Sequence, residues 1–288
     1  MSIDLSGLNI LLTGASQGIG KTTANYLMTM GARVAIHYNH NKTAAEELAK
    51  KHKTTNSKIF KADLNNIDEV ITLFENVKKE FGVIDVIVLN AGVAICHPIE
   101  ETSENWFDIW KKTMTINLDS AGLLTKLGIE HFKEQQAGRF IYIGSRAVFR
   151  GETEDYLAYA ASKGGLTSLA RSVARSFGKD NIKSFVIAPG FTKTQMADAF
   201  IEKYGKENFT KEILERGVDS FDELCSLERH YIVLHDTKIN GYNMTDGGLG
   251  MYGYTPTEEH RKNMSDSISG EKHPQYGTKL SDQRRKEL

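Results

Sequence analysis

At 288 residues, with 40% apolar and 25% charged side chains, the chain can bury a sizeable core as one large α/β domain plus an extension. Its 36 basic and 37 acidic residues leave a net charge of −1, which excludes a global field directed at nucleic acid or an anionic membrane. Cys96 and Cys225 lie far apart and in no ligand-like spacing, so neither a disulfide framework nor a zinc site is indicated and structural thiols are expected.

In chain order, the first element is the apolar run Leu8-Asn9-Ile10-Leu11-Leu12, suited to a buried parallel strand. The turn Thr13-Gly14-Ala15-Ser16-Gln17-Gly18-Ile19-Gly20 follows it, then a helical stretch over 21–30. Gly14, Gly18 and Gly20 permit positive φ and let the backbone approach a ligand, while the helix N-terminus offers free N–H groups to a pyrophosphate. Taken alone, such a turn reads equally well as an ordinary strand-to-helix connection. A second strand over 33–37 ends in His37-Tyr38-Asn39, where an acid would hydrogen-bond an adenosine ribose and repel a 2′-phosphate. No acid stands there, so NADP(H) is favoured over NAD(H), with His40 or Lys42 as phosphate contacts.

Further strands are expected over 58–61, 86–89, 140–143 and 184–187, with helices between them. That alternation predicts an α/β fold, a doubly wound parallel sheet of the Rossmann type, with a mainly helical or irregular C-terminal extension. A ligand then sits at the carboxyl ends of the strands. No apolar run reaches the roughly 18 residues of a membrane span. Met1-Ser2-Ile3-Asp4 lacks the basic and apolar regions of a signal peptide, so the cytoplasm is the expected compartment. The nine histidines form no ligand cluster; His230 and His235 near Glu228 come nearest, and scattered surface histidines with no metal are expected.

Chemistry concentrates in Tyr159-Ala160-Ala161-Ser162-Lys163 and in Ser145 upstream of it. Reducing a ketone needs a hydride donor on one face of the carbonyl and a proton donor at its oxygen. A free tyrosine, with a pKa of about 10, is a poor partner at neutral pH. Lys163 follows Tyr159 by one helical turn, so both project from one face, and the cation is expected to lower the phenol's pKa. Ser145 would hydrogen-bond the substrate oxygen and stabilise the charge that grows there. In isolation such a Tyr/Lys pair is an ordinary surface contact and the serine a turn residue; their joint order and spacing turn the reading towards catalysis.

Together these fragments resemble the short-chain dehydrogenase/reductase family over residues 1 to about 200. The resemblance implies that Gly14, Ser16, Gln17, Gly18, Ile19 and Gly20 hold a dinucleotide, with Tyr38 and Asn39 on its adenosine side. Asp63-Leu64 matches the acid that hydrogen-bonds the adenine ring, and Asn90-Ala91-Gly92 the turn after the fourth strand. Asn117, Ser145, Tyr159 and Lys163 match the four catalytic positions. By that match Tyr159 is the general acid/base, Lys163 also holds the nicotinamide ribose, and Asn117 positions a water linking Lys163 to bulk proton supply. Pro189-Gly190, Thr192 and Thr194 resemble the segment that contacts the nicotinamide amide. Gln17 stands where phosphate-binding relatives often carry an arginine, which keeps NAD(H) open as cofactor. The implied activity is hydride transfer between NAD(P)(H) and a small carbonyl or alcohol, in a homo-oligomer if the family's last helix and strand are kept.

Residues 201–250 admit two readings. A helix over 220–235, a strand over 239–245 and Asp246-Gly247-Gly248 fit the last elements of that family. The same stretch resembles the C-terminal half of a GIY-YIG homing endonuclease through Lys203-Tyr204-Gly205-Lys206-Glu207-Asn208-Phe209-Thr210, Leu227-Glu228-Arg229 and Gly241-Tyr242-Asn243-Met244-Thr245, with Glu228 at its metal-binding position. The nuclease's N-terminal half is absent, leaving no activated nucleophile, so no DNA cleavage is expected. In the polar tail, 251–288, Thr257-Glu258-Glu259-His260-Arg261-Lys262 and Gly270-Glu271-Lys272-His273-Pro274-Gln275-Tyr276-Gly277 resemble DNA-binding modules that follow such nucleases. Seven basic against six acidic residues there give no clear surplus for tracking phosphates, and a polar appendage is the competing reading. Beside a reductase, two alternatives therefore stand: a cofactor-binding but catalytically impaired fusion protein, and a DNA-binding protein acting through a nuclease-derived tail.

Overall fold

Side chains alternate across strand β1 (Asn9–Leu12): Leu11 faces one apolar layer, while Ile10 and Leu12 face the other. Through the glycine turn β1 leads into α1 (Gly18–Thr29), β2 (Arg33–Tyr38), α2 (Lys42–Lys51), β3 (Lys58–Lys61), α3 (Ile67–Phe81) and β4 (Val86–Leu89). There follow α4 (Ser103–Met114), a π-helical turn (Thr115–Asp119), α5 (Ser120–Glu134), β5 (Gly138–Ile143), α6 (Ala147–Arg150), α7 (Leu157–Phe177), β6 (Ile182–Ile187) and α8 (Gln195–Tyr204). The computed structural model describes residues 3–204 and 220–235, and the chain divides into two units, 1–209 and 210–288.

The six strands form one parallel sheet in the order β3-β2-β1-β4-β5-β6. Leu11 pairs with Ala35 on one side and Ile87 on the other, so the strand order reverses at β1. That reversal opens a crevice at the carboxyl ends of the strands, where doubly wound folds bind ligands. Each strand expected before residue 200 is present: β3 and β4 have the expected bounds, β2, β5 and β6 are longer by one or two residues, and β1 takes Asn9–Leu12 of the expected run. The first helix starts earlier than its apolar pattern suggests, because the end of the glycine turn is already helical and Gln17 is its N-cap.

One layer packs Leu11, Ile87, Phe140 and Tyr142 against residues of α3, α5 and α7, among them Leu73, Phe74, Leu124, Phe132 and Leu166. The other packs Ile10, Leu12, Val34, Ile36, Val86 and Val88 against Ala24 and Met28 of α1 and Leu48 of α2. Helix α3 shows how sequence sets this arrangement. Asn66 caps it by accepting from the N–H groups of Asp68 and Glu69, and Val70, Leu73, Phe74, Val77 and Phe81 recur at helical spacing to make its buried face.

Among the described residues β6 ends the sheet; Ile182 is buried there, while Phe185 and Ile187 are each 51% exposed. The strand expected over 239–245 and the tail over 251–288 lie outside the described residues. In the second unit α9 (Phe221–Leu234) matches the helix expected over 220–235, with Ser220 as N-cap accepting from the Glu223 N–H at 3.1 Å. No helix among the described residues is long and apolar enough to cross a membrane.

Candidate active site

At the crevice the glycine turn is held tightly to the end of β4. Thr13 Oγ1 accepts from the N–H groups of Asn90 and Ala91 at 3.0 and 3.1 Å, and Asn90 Nδ2 donates to the carbonyls of Thr13 and Gly14 at 2.8 and 3.1 Å. Gly14 adopts φ +64°, in the left-handed region that favours glycine. Gly20 is required by space, since a Cβ there would collide with the Gly14 carbonyl and with Asn90 Nδ2. Gln17 gives α1 no side-chain cap, which leaves first-turn N–H groups of α1 for a ligand. A Cβ on Gly18 would lie 3.4 Å from Thr194 Cγ2, so the segment carrying Pro189, Gly190, Thr192 and Thr194 arrives beside the same turn.

Ser145 lies just beyond the end of β5, is buried, and accepts the Ala147 N–H at 3.1 Å. It also hydrogen-bonds the phenol of Tyr159, which stands half-buried in α7. Asn117, almost fully buried, sits within the π-helical turn between α4 and α5, a distortion that re-aims its side chain. Its Oδ1 accepts the Val93 N–H at 2.8 Å, and its Nδ2 donates to the Val93 carbonyl at 2.8 Å and to Ser162 Oγ at 3.0 Å. Ser162 in turn donates to the Tyr159 carbonyl at 2.8 Å, so Asn117 is tied to the helix turn that carries the phenol.

The phenol pKa of Tyr159 is raised, where Lys163 was expected to lower it. Burial pushes the Tyr159 phenol above its ordinary value; the Ser145 hydrogen bond pulls it down, and Glu152 pushes it up again. Lys163 is on the same face, with its Nζ 5.9 Å from the Tyr159 ring centroid, but that ammonium donates to the Ile143 carbonyl at 2.9 Å. Burial also pushes Lys163 itself down to about 8, which weakens the cation that was expected to favour phenolate. Desolvation of the phenol therefore wins. Gly92 lies between the catalytic candidates: a Cβ on it would be 3.2 Å from Lys163 Nζ and 3.3 Å from Asn117 Oδ1.

The remaining expected positions divide by what they can offer. Ser16 is buried in the turn, Ile19 is half-buried behind it, and a Cβ on Gly14 would meet Ala91. Tyr38 and Leu64 put their side chains into the two core layers, so any contact from them to a ligand is through the backbone. Asn39 is half-buried and His40 exposed at the end of β2, while Lys42 pairs with Glu46 at 3.5 Å. The Asp63 carboxylate accepts the Asn65 N–H, and the Asp63 N–H donates to Glu69 Oε2.

Three histidines overturn the expectation of scattered surface positions: His37, His97 and His131 are buried, each with its ring hydrogen-bonded to backbone. His97 Nε2 accepts the Ala158 N–H at 3.2 Å at the start of α7, next to Tyr159. Sequence reasoning missed this residue and His37; neither carries a local signal, because their partners are distant in the chain. Among the described residues no three His, Cys, Asp or Glu side chains gather as a metal site, and both cysteines are free thiols.

The short chain dehydrogenase family matches residues 8–205, and a NUMOD3 motif matches residues 253–288. The nuclease resemblance expected over 201–250 finds no support in these matches. The chain is 32% identical over 230 residues to hydroxynaphthalene reductase-like protein Arp2 of Metarhizium acridum, spanning 78% of this chain and 83% of that one. It is 32% identical over 213 residues to 5-keto-D-gluconate 5-reductase of Escherichia coli K12, spanning 74% and 81%. The NADPH-dependent 3-quinuclidinone reductase of Rhodotorula rubra superposes with a TM-score of 0.62 at 28% identity, covering 68% of this chain and 73% of that one.

Proposed function

Since the chain belongs to the short-chain dehydrogenase family and is an NAD(P)-dependent oxidoreductase, we propose that it reduces a small ketone or aldehyde, with NADPH as favoured cofactor and Tyr159 as proton donor. The observation that carries this reading is the 90–92 turn. Through Asn90 it hydrogen-bonds the glycine turn, and at Gly92 it abuts Lys163 and Asn117. One short segment thus joins the phosphate cradle to the groups around Tyr159.

The residues present fit a dinucleotide, since the cradle is kept free of side chains at Gly14, Gly18 and Gly20 and opens on the α1 N-terminus. Gly14, Ser16, Gln17, Gly18, Ile19 and Gly20 would hold the pyrophosphate side, Asn39 and the Tyr38 backbone the adenosine, and Asp63 with the Leu64 backbone the adenine. Asn90, Ala91, Gly92, Tyr159 and Lys163 would line the ribose, with Pro189, Gly190, Thr192 and Thr194 at the amide. When bound, the nicotinamide supplies a hydride to the carbonyl carbon, or takes one from the alcohol. The lack of an acid after β2 and the NADPH dependence named for one relative support the phosphorylated cofactor.

Tyr159, protonated at neutral pH as an ordinary phenol is and pushed further that way by burial, gives its proton to the carbonyl oxygen. Ser145 donates to that oxygen as charge develops and afterwards holds the phenolate. Lys163, with a pKa of about 8, can replace the proton near neutrality. Asn117 Oδ1 keeps one lone pair for a solvent molecule on that path, its other acceptor site being taken by the Val93 N–H.

The test is a fluorescence titration with NADPH and NADH, combined with a reduction screen that includes 5-ketogluconate and 3-quinuclidinone, on the wild-type chain and Tyr159→Phe. Tighter binding of NADPH, turnover of a carbonyl, and a phenylalanine variant that binds but does not turn over are expected. Full reduction by Tyr159→Phe removes the mechanism; binding without any turnover replaces it with the impaired fusion.

A second reading concerns the tail. The NUMOD3 match over 253–288, with the resemblance of residues 257–262 and 270–277 to nuclease-associated modules, supports DNA contact by this segment. Retardation of a DNA duplex by the intact chain at low salt, lost as salt rises, is the expected result; absence of retardation leaves a polar appendage.

A further inference from the structure

His37 occupies the end of β2 directly beneath the glycine turn and is 2% exposed. Its backbone carbonyl accepts the Ala15 N–H at 2.8 Å. Its ring Nδ1 lies 2.9 Å from the Gly14 nitrogen, and its Nε2 lies 3.0 Å from the Ala62 carbonyl oxygen. A backbone N–H can only donate and a carbonyl can only accept, so one tautomer satisfies both contacts: Nδ1 bare, Nε2 carrying hydrogen. Burial holds the ring neutral, as this tautomer requires, against the Ala62 carbonyl and Asp63, which favour the cation.

Two clamps therefore hold the turn. Asn90 and Thr13 fix its β4 side, where the nicotinamide half would lie, and His37 fixes its β2 side. The same imidazole grips Ala62, the residue before Asp63. We propose that His37 is a positioning residue for the dinucleotide: it sets the spacing between the glycine turn, which takes the pyrophosphate, and the Ala62–Asp63 corner, which takes the adenine. This inference rests on the cofactor reading above. It adds a residue that touches neither substrate nor cofactor and acts through Gly14 and Ala62.

The test compares His37→Leu, His37→Asn and His37→Gln in the full chain by NADPH Kd, by kcat and KM for NADPH, and by thermal midpoint. Leucine leaves the half-buried Gly14 N–H without an acceptor, so Kd and KM for NADPH should rise about tenfold while kcat at saturating NADPH stays near wild type. Asparagine places an oxygen where Nδ1 stands and should restore most of the affinity. Glutamine reaches the Ala62 side but offers no acceptor at the Nδ1 position, and should not. A merely structural role would shift the thermal midpoint without separating asparagine from glutamine in Kd. The inference is overturned if folded His37→Leu binds NADPH as wild type does, or if asparagine and glutamine are equally impaired. Should the leucine variant fail to fold, the asparagine and glutamine pair decides. A wild-type chain that binds no dinucleotide overturns the functional reading and this inference with it, whereas wild-type binding with indifferent His37 variants overturns the inference alone.

Discussion

Replacing Gly92 by alanine adds one methyl group at the point where the cofactor turn meets the catalytic candidates. Gly92 does not have positive φ, so alanine meets no backbone penalty and the cost is steric. The new Cβ would lie 3.2 Å from Lys163 Nζ and 3.3 Å from Asn117 Oδ1, both inside ordinary van der Waals distance. Asn117 cannot yield easily, being fixed by three hydrogen bonds, and Lys163 can move only by stretching its 2.9 Å bond to the Ile143 carbonyl. Overpacking of this kind costs about 1–3 kcal/mol. Because the displaced group is Lys163, we expect the cost to fall on turnover, lowering kcat by about 5- to 150-fold. Dinucleotide affinity should fall as well, because Gly92 and Lys163 would line the ribose, while the glycine turn itself stays held by Asn90. Steady-state kinetics on any carbonyl found in the screen, with NADPH titration and thermal melting alongside, read these quantities separately. Wild-type kcat in the alanine variant would refute the placement of Lys163 and Asn117 against this turn.

Two further outcomes concern stability. Tyr142 Oη and Thr125 Oγ1 lie 3.0 Å apart in the core, and Thr125 spends its own hydrogen on the Ala121 carbonyl at 2.7 Å, so the phenol is the donor. Thr125→Ala strands that buried donor and should cost about 1–3 kcal/mol, whereas Tyr142→Phe leaves Thr125 bonded and should cost about 1 kcal/mol or less; urea unfolding with the opposite order would contradict this. Burial holds His37, His52 and His131 below the ordinary imidazole value. Below a pH of about 6.5 the unfolded chain then binds more protons than the folded one, so stability present above that pH declines as pH falls towards the folded-state values. Equal urea midpoints at pH 7.5 and 5.5 would contradict that linkage.

The sheet was legible because most strands carry a short apolar run closed by turn residues, as at Leu12 before Thr13-Gly14 and Leu89 before Asn90. Residues whose role depends on distant backbone were not legible. His37 stands in β2, buried on both faces, so no alternation of polar and apolar residues distinguishes it from its neighbours. His97 meets Ala158 across 61 positions of sequence, and nothing near either residue announces the contact. The π-helical turn at Asn117 interrupts what the sequence presents as a continuous helical pattern.

The sign of the Tyr159 shift shows where sequence spacing stops being informative. A four-residue offset puts Lys163 on the same helix face as the phenol, and it does lie there. The offset fixes Cα positions, while four side-chain torsions decide where the ammonium lands, and here the acceptor that captures it is the Ile143 carbonyl at the end of β5. With the cation spent on that carbonyl and weakened by burial, the phenol's own desolvation governs its proton. For the proposed carbonyl reduction the protonated phenol is the donor form, but its raised pKa makes it a weaker acid, so proton transfer leans on the Ser145 hydrogen bond. Alcohol oxidation needs the opposite form and must first pay to ionise a buried tyrosine. The residue that limits that cost is Ser145, whose hydrogen bond opposes burial at this oxygen, so its placement after β5 bears on both directions of the proposed reaction.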